Sequence, residues 1–369
     1  MVKPSLSQEN QGSALEVITI GRSGVDIYPL QVGVGLENVT SFGKFLGGSP
    51  TNVAVAAARL GRCAAAVTGV GDDPFGRFVV QEMERLGVSS AFVVTDADLA
   101  TPVTFCEIYP PDDFPLFFYR DPSAPDLQLR PEDLDFDAIA AAPLFWISGT
   151  GLSCDPSRSA HFEALRARAE VARGSGVQAK TPAPGTQLSA VSPGAPRHTV
   201  FDLDYRAMFW QSREQAREYV QQALALCTVA VGNREECEVA VGQSDPDRAA
   251  DALLDLGVEL AIVKQGPRGV LGKTRTERVE VPANRIRVIN GLGAGDSFGG
   301  SLCHGLLAGH DLTTLLTRCN AAGAIVSSRL ECSTAMPTAE EIDMLLAGDD
   351  PNRGSSVEEM LTSLRNRVR

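Results

Sequence analysis

One repeated unit constrains this chain most: a short run of β-branched or small apolar residues, a turn, then a helix stopped by glycine. Val17–Ile20 is such a run and ends at Gly21. Thr51–Leu60 (TNVAVAAARL) is alanine-rich and stops at Gly61, the pattern of a helix with a glycine end. Ala64–Val70 reads as the next strand and Pro74–Leu86 as the next helix, ending at Gly87. The alternation continues with strands at 144–149, 199–204, 228–233 and 259–266, and with helices at 156–172, 212–225 and 247–256. Consecutive strands separated by helices are set up for parallel crossovers. The expected fold is therefore α/β, a mostly parallel central sheet with helices on both faces.

Two stretches break this rhythm. Residues 26–46 and 101–120 carry strand-like runs and turn residues with no helical period. TPVTFCEIYPPDDFPLFFYR reads as a hairpin around Pro110–Pro115. Together they suggest a small β-sheet acting as a lid; an antiparallel edge extension of the main sheet is the other reading. Residues 174–197 are dominated by Gly, Pro, Ala and Ser and lack any acidic residue, so a disordered insertion is expected there. Residues 1–13 read as a disordered tail, 14–347 as one domain and 348–369 as a peripheral C-terminal tail.

The 369 residues, 44% of them hydrophobic, suffice for one large α/β domain with a buried core. A net charge of −13 argues against nucleic acid or an anionic membrane as the main partner. A small anionic ligand would need a locally basic site or one rich in backbone N–H groups. The eight cysteines form no C-x-x-C pair, which fits reduced thiols in a cytoplasmic protein. His304 and His310 are not spaced as a helical ligand pair, so no structural zinc is expected. The polar first sixteen residues lack a signal-peptide core, and no run approaches the ~18 apolar residues of a membrane span.

The sharpest chemical signal is Asn290-Gly-Leu-Gly-Ala-Gly-Asp296-Ser-Phe-Gly-Gly-Ser301. A strand over Arg285–Ile289 is expected to enter a glycine-dense turn and then an apolar helix, Ser297–Ala308. Small residues Gly293, Ala294 and Gly295 let the backbone approach a phosphate, with their N–H groups at a helix N-terminus. Asp296 is then placed to accept a proton from an attacking hydroxyl. The same pattern also serves as a tight turn with an N-capping aspartate. A second signal is Gly47-Gly48 followed by Asn52 at the head of the alanine-rich helix, suited to close approach of a hydroxylated ligand.

Both motifs, in this order, resemble the ribokinase-like (PfkB) carbohydrate kinase family over about residues 16–347. That resemblance implies a ribokinase-like fold, ATP and Mg²⁺ as cofactors, and Asp296 as catalytic base. It implies further roles residue by residue. Asp26, Gly47, Gly48 and Asn52 would bind sugar hydroxyls, and Arg206 in FDLDYRAMFW would contact substrate or phosphate. Asn233 and Glu236 would order Mg²⁺ through water. Lys264, Gly266 and Gly269 look like the nucleotide-side turn, and Asn320 lies on the helix that would flank adenine. Two departures stand out: Asn290-Gly291 replaces the usual Asp-Thr, whose carboxylate helps to organise a monovalent-cation site, and Asp204 stands where Asn is frequent. K⁺ dependence is accordingly open.

Four stretches, 21–31, 41–61, 101–120 and 290–300, resemble the 5-dehydro-2-deoxygluconokinase subgroup of myo-inositol catabolism. This implies a sugar-acid substrate, for which planar arginines are the natural partners. Arg120 and Arg206 are the candidates, with Arg22 a weaker third; Phe118 and Tyr119 would shape the pocket or fill a core. Kinases for 2-keto-3-deoxygluconate or fructose, a non-catalytic sugar-acid sensor, and a dehydrogenase suggested by Gly69-Val-Gly71 are the alternatives. Exposed lid strands often pair, so a homodimer through the lid is expected.

Overall fold

The computed structural model describes residues 14–174 and 198–352. The expected tails and the 174–197 insertion therefore lie outside the described residues, apart from Gly174 and 348–352. The strands are β1 (Val17–Ile20), β2 (Gly24–Pro29), β3 (Phe42–Gly47), β4 (Ala64–Gly71), β5 (Val88–Ser89), β6 (Val93–Asp96) and β7 (Val103–Cys106). After them come β8 (Leu116–Tyr119), β9 (Leu144–Ser148), β10 (His198–Asp202), β11 (Val229–Asn233), β12 (Leu260–Lys264), β13 (Val270–Lys273) and β14 (Arg278–Val281). The helices are α1 (Ser49–Arg59), α2 (Pro74–Arg85), α3 (Phe136–Ala141), α4 (Ser157–Gly174) and α5 (Arg213–Leu224). The remainder are α6 (Arg234–Val241), α7 (Pro246–Asp255), α8 (Ala294–Ala308), α9 (Leu312–Ser327) and α10 (Ala339–Leu346).

Ten strands form the main sheet in the order β14-β13-β12-β11-β10-β9-β1-β4-β5, with β6 also paired to β4. From β12 through β4 every pairing is parallel, and β13 and β14 return antiparallel at one edge. The central strands explain themselves by burial on both faces. In β1, Val17 packs into one apolar cluster while Ile18 and Ile20 pack into the other. In β9, Leu144 and Trp146 face the first cluster, and Phe145 and Ile147 the second. Helices α1, α2, α8 and α9 cover the first face, and α3 to α7 the second. Helix α8 seats closely: a Cβ at Gly299 would meet Trp146 at 2.7 Å, and one at Gly300 would meet Ala56 of α1 at 2.2 Å.

The two arrhythmic stretches form a separate four-stranded sheet, β3-β2-β7-β8, and not an extension of the main sheet. On one of its faces Asp26 aligns with Thr104, which aligns with Phe118. The other face carries Phe42, Phe105, Phe117 and Tyr119, with Phe105 edge-on to both Phe42 and Tyr119.

Two local expectations are corrected. Arg285–Ile289 is not a strand: the backbone N–H groups of Ile289 and Asn290 donate to Ser327 O, so a helix end takes the place of a sheet neighbour. Helix α8 begins at Ala294, three residues before the expected start, which puts Asp296 inside its first turn. All eight cysteines are free thiols. No helix among the described residues is long and apolar enough to cross a membrane.

Candidate active site

Parallel strands align their C-terminal ends, and ligands of such sheets bind beyond those ends. Here Ser148 aligns with Asp202 across β9–β10, and Asn233 with Lys264 across β11–β12, so one row of polar side chains lines the rim. The loop after β1 adds Arg22, and α1 and α8 project their N-termini beside it.

Asp296 sits half-buried in the first turn of α8. It is not the helix cap. That position belongs to Gly293, whose φ of 82° is left-handed and whose hydrogen faces Cys332; a Cβ there would lie 2.2 Å from the sulfur. The Asp296 carboxylate is held by α1 instead: Oδ1 accepts from Ser49 Oγ at 2.7 Å and Oδ2 from Asn52 Nδ2 at 2.8 Å. Burial raises its pKa, and the Asn52 and Ser49 hydrogen bonds oppose that rise. In the first turn of α8, Ala294 N–H reaches Gly291 O at 3.4 Å and Ser297 N–H donates to Gly293 O at 2.9 Å, which leaves the amides of Gly295 and Asp296 to face an anion. Lys264 approaches the same turn, since a Cβ on Gly295 would lie 3.3 Å from its Nζ. Burial by itself would lower Lys264, but Asp202, Glu236, Asp296 and Asp204 outweigh it and hold the ammonium above its ordinary value.

On the opposite side lies Asp26. A Cβ on Gly47 would meet its Oδ1 at 2.1 Å, so the first glycine of the pair makes room for this carboxylate. Gly48 caps α1. Burial pushes Asp26 up to about 7, against the hydrogen bond it accepts from Tyr28 Oη at 3.1 Å and the nearby charge of Arg22. Tyr28 also hydrogen-bonds Cys332, whose sulfur lies 3.2 Å from Asn52 Nδ2 and 4.0 Å from Asp296 Oδ2. Asn52 Oδ1 is buried with no hydrogen-bond partner.

Asp204 joins two arginines. Its Oδ1 lies 3.0 Å from Arg206 Nη2, and its Oδ2 lies 3.3 Å from both Arg22 Nη2 and Thr150 Oγ1. Burial would raise this carboxyl, yet Arg206 and Arg22 hold it below the usual range. Asp204 is also the one non-glycine residue with positive φ (27°) among the described residues. Such a backbone costs about 1–2 kcal/mol, which the two ion pairs offset. Neighbouring Asp202 is pushed up to about 8 by burial, partly countered by Lys264.

Of the arginine candidates, Arg120 has a carboxylate of its own. Its Nη2 donates to both oxygens of Asp126, at 3.0 and 2.8 Å, and the two side chains are only 9% and 3% exposed. Arg22 and Arg206 keep a buried Nε without a partner, as Arg120 does, and they share Asp204, with Glu236 a second carboxylate beside Arg206. Asn233 and Glu236 form a capping box at the start of α6, with Asn233 Oδ1 accepting from Glu236 N at 2.9 Å and Glu236 Oε2 from Asn233 N at 2.6 Å. Glu236 Oε1 remains outside the box, 3.8 Å from Arg206 Nη1. Gly266 and Gly269 frame the turn after β12; a Cβ on Gly269 would meet Val281 O at 2.0 Å. Asn320 donates to Pro282 O at 2.7 Å, which brings α9 to the same edge. Sequence reasoning missed Ser49, Thr150, Asp202, Tyr28 and Cys332. Ser49 and Asp202 lie inside quoted motifs and Tyr28 inside the 21–31 stretch, whereas nothing local marks Thr150 or Cys332.

A family model described as pfkB family carbohydrate kinase matches residues 14–195 and 175–339. The chain belongs to the PfkB carbohydrate kinases. It is 35% identical over 341 residues to the 5-dehydro-2-deoxygluconokinase of Geobacillus thermodenitrificans, covering 90% of this chain and 93% of the relative. A solved aminoimidazole riboside kinase from Salmonella enterica, complexed with aminoimidazole riboside and an ATP analog, superposes with a TM-score of 0.70 at 27% identity, covering 90% of this chain and 99% of its own. A fructokinase double mutant from Vibrio cholerae, bound to fructose, ADP and potassium ion, superposes with a TM-score of 0.74 at 25% identity, covering 91% and 100%. This PfkB member is thus an ATP-using carbohydrate kinase with a ribokinase-like fold. The cluster around Asp296, Lys264 and the α8 N-terminus is its candidate phosphoryl-transfer centre.

Proposed function

We propose that this kinase phosphorylates the terminal hydroxyl of 5-dehydro-2-deoxy-D-gluconate with ATP, giving the 6-phosphate and ADP, as a cytoplasmic step of myo-inositol catabolism. The observation that carries the sugar-acid reading is the Arg22–Asp204–Arg206 arrangement on the sugar side of Asp296. Two planar guanidiniums, held around Asp204 and each keeping a buried Nε–H without a partner, suit the substrate's carboxylate. Arg22 and Arg206 take this role, and Arg120 braces Phe209 and Asp126 behind them. The likeness to the Geobacillus relative supports the same substrate.

In the reaction, Asp26 and Asn52 Oδ1 receive hydrogen bonds from sugar hydroxyls. The terminal hydroxyl attacks the γ-phosphorus as the bond to the ADP oxygen breaks, and its proton passes to Asp296. The amides of Gly295 and Asp296, with Lys264, stabilise the transferring phosphoryl group. No three acidic or imidazole ligands gather into a metal cage among the described residues. That fits Mg²⁺ held mainly by phosphates and water, with Glu236 Oε1 the protein group to contact its water shell. Bound in this way Mg²⁺ would neutralise phosphate charge. The kinase works as a homodimer through the aromatic outer face of the lid, where Phe117 is 42% and Tyr119 64% exposed. Light scattering of Phe117→Glu tests this, a monomer being expected.

The deciding experiment is coupled ADP release with Mg-ATP and a panel of 5-dehydro-2-deoxygluconate, 2-keto-3-deoxygluconate, fructose and ribose. A clear kcat/KM preference for the first supports the proposal. Preference for another sugar overturns the substrate, and no turnover with any overturns catalysis in favour of a sensor.

A further inference from the structure

The dipeptide Asn290-Gly291 stands where the family usually carries a carboxylate that organises a monovalent-cation site, and the Vibrio fructokinase is a potassium-bound relative. The residues present here do not fit such an ion. Asn290 is fully buried at 0% exposure. Its Nδ2 donates to Leu330 O at 2.8 Å, and its Oδ1 accepts from Leu292 N at 3.0 Å. Beside it, the N–H groups of Ile289 and Asn290 reach Ser327 O at 2.8 and 3.2 Å. The loop entering α8 is therefore tied to the segment leaving α9 by neutral hydrogen bonds on both sides of one side chain.

A potassium ion needs several oxygen lone pairs turned toward it. At this position one lone pair of the Leu330 carbonyl is taken by the Asn290 amide, and residue 290 turns the positive end of an N–H where the usual carboxylate would turn negative charge. A buried cation placed there would displace that bond and meet no formal negative charge from residue 290. The glycine of that dipeptide has its own surroundings: a Cβ on Gly291 would lie 2.8 Å from the ring of Phe114, at the tip of the lid hairpin. A larger residue there would push the Phe114 ring from its seat.

We infer that this kinase works without a monovalent cation, the Asn290 amide itself joining the two loops that frame the start of α8. The inference rests on the kinase reading and is independent of which sugar is phosphorylated. The test compares wild-type protein in potassium chloride and in tetramethylammonium chloride at equal ionic strength, reading both ADP release and the thermal midpoint. Expected are rates within about twofold and superimposable midpoints, because an ion that bound the native state would raise Tm. Activation by potassium of about tenfold, or a midpoint several degrees higher in potassium, overturns the inference. If the substrate assignment is at fault, ADP release fails in both salts while the midpoints still decide the question. Asn290→Asp provides the second arm: it should melt lower than wild type in tetramethylammonium chloride, and an unchanged midpoint there overturns the role of the amide as the tie.

Discussion

Asn52 Nδ2 donates to Asp296 Oδ2 across 2.8 Å, although the two residues are 244 positions apart in the chain. The close pairing of the alanine-rich helix α1 with the glycine-rich helix α8, Gly300 against Ala56, brings the two side chains together. If Asp296 is the base, Asp296→Asn should lower kcat at least about a hundredfold with little change in ATP affinity. Steady-state rates with nucleotide titration check both halves, and near-wild-type turnover would remove the assignment.

The same hydrogen bond sets the pH dependence. The Asn52 amide lowers the Asp296 pKa against the effect of burial, so Asn52→Ala should raise it. Since the base must be ionised, the acid limb of the kcat/KM profile should move to higher pH in the variant. A profile of unchanged shape, merely scaled down, would mean that Asn52 acts on sugar binding alone.

Arg206→Met removes one of the two guanidiniums on Asp204. KM for a carboxylated sugar should rise about tenfold or more, while KM for fructose, tested at high concentration, should change little. Equal losses for both sugars would indicate damage to the fold around Asp204 and not to carboxylate recognition.

His161 is a further, structural pH element. It is wholly buried, with Nδ1 on Ser157 O at 2.8 Å, and burial pulls its pKa from 6.5 to about 4. Between those values the unfolded chain binds the proton that the folded protein refuses. Its contribution is therefore present above pH ~6.5 and lost as pH falls toward 4, by about 3 kcal/mol at the limit. The thermal midpoint of His161→Gln should fall less steeply between pH 7 and pH 4.5 than that of wild type. Parallel slopes would exclude His161 as the titrating group. Asp26, raised to about 7, acts in the opposite sense in both proteins and cancels from the comparison.

What the sequence disclosed was what lies close together along it. Alternating strands and helices, the glycine-dense turn before Asp296 and the diglycine before α1 are all local patterns, whereas the Asn233–Glu236 pair is read only through resemblance and its capping box comes from the structure. The local patterns are readable because steric or capping requirements act over a few residues. Pairings between distant segments were not readable. Arg22 and Asp204 are 182 positions apart, and Asn52 and Cys332 are 280 apart. Nothing in Arg120 itself announced that Asp126 would match its charge. Arg285–Ile289 misled because an alternating apolar run signals extended backbone without naming its partner, which proved to be Ser327.

The separation of the two sheets has a consequence for how such an enzyme can change. Asp202, Asn233 and Lys264 are fixed at the rim of the main sheet, whereas Asp26, Tyr28 and Phe118 ride on the small one. The two inventories meet at Asp296 and Asn52. The molecule is thus divisible along that seam: an ancestor could keep Lys264 and the α8 turn unaltered and acquire a new diet by rewriting residues 24–47 and 103–119 together with Arg22 and Arg206, which reach the sugar from the main-sheet side.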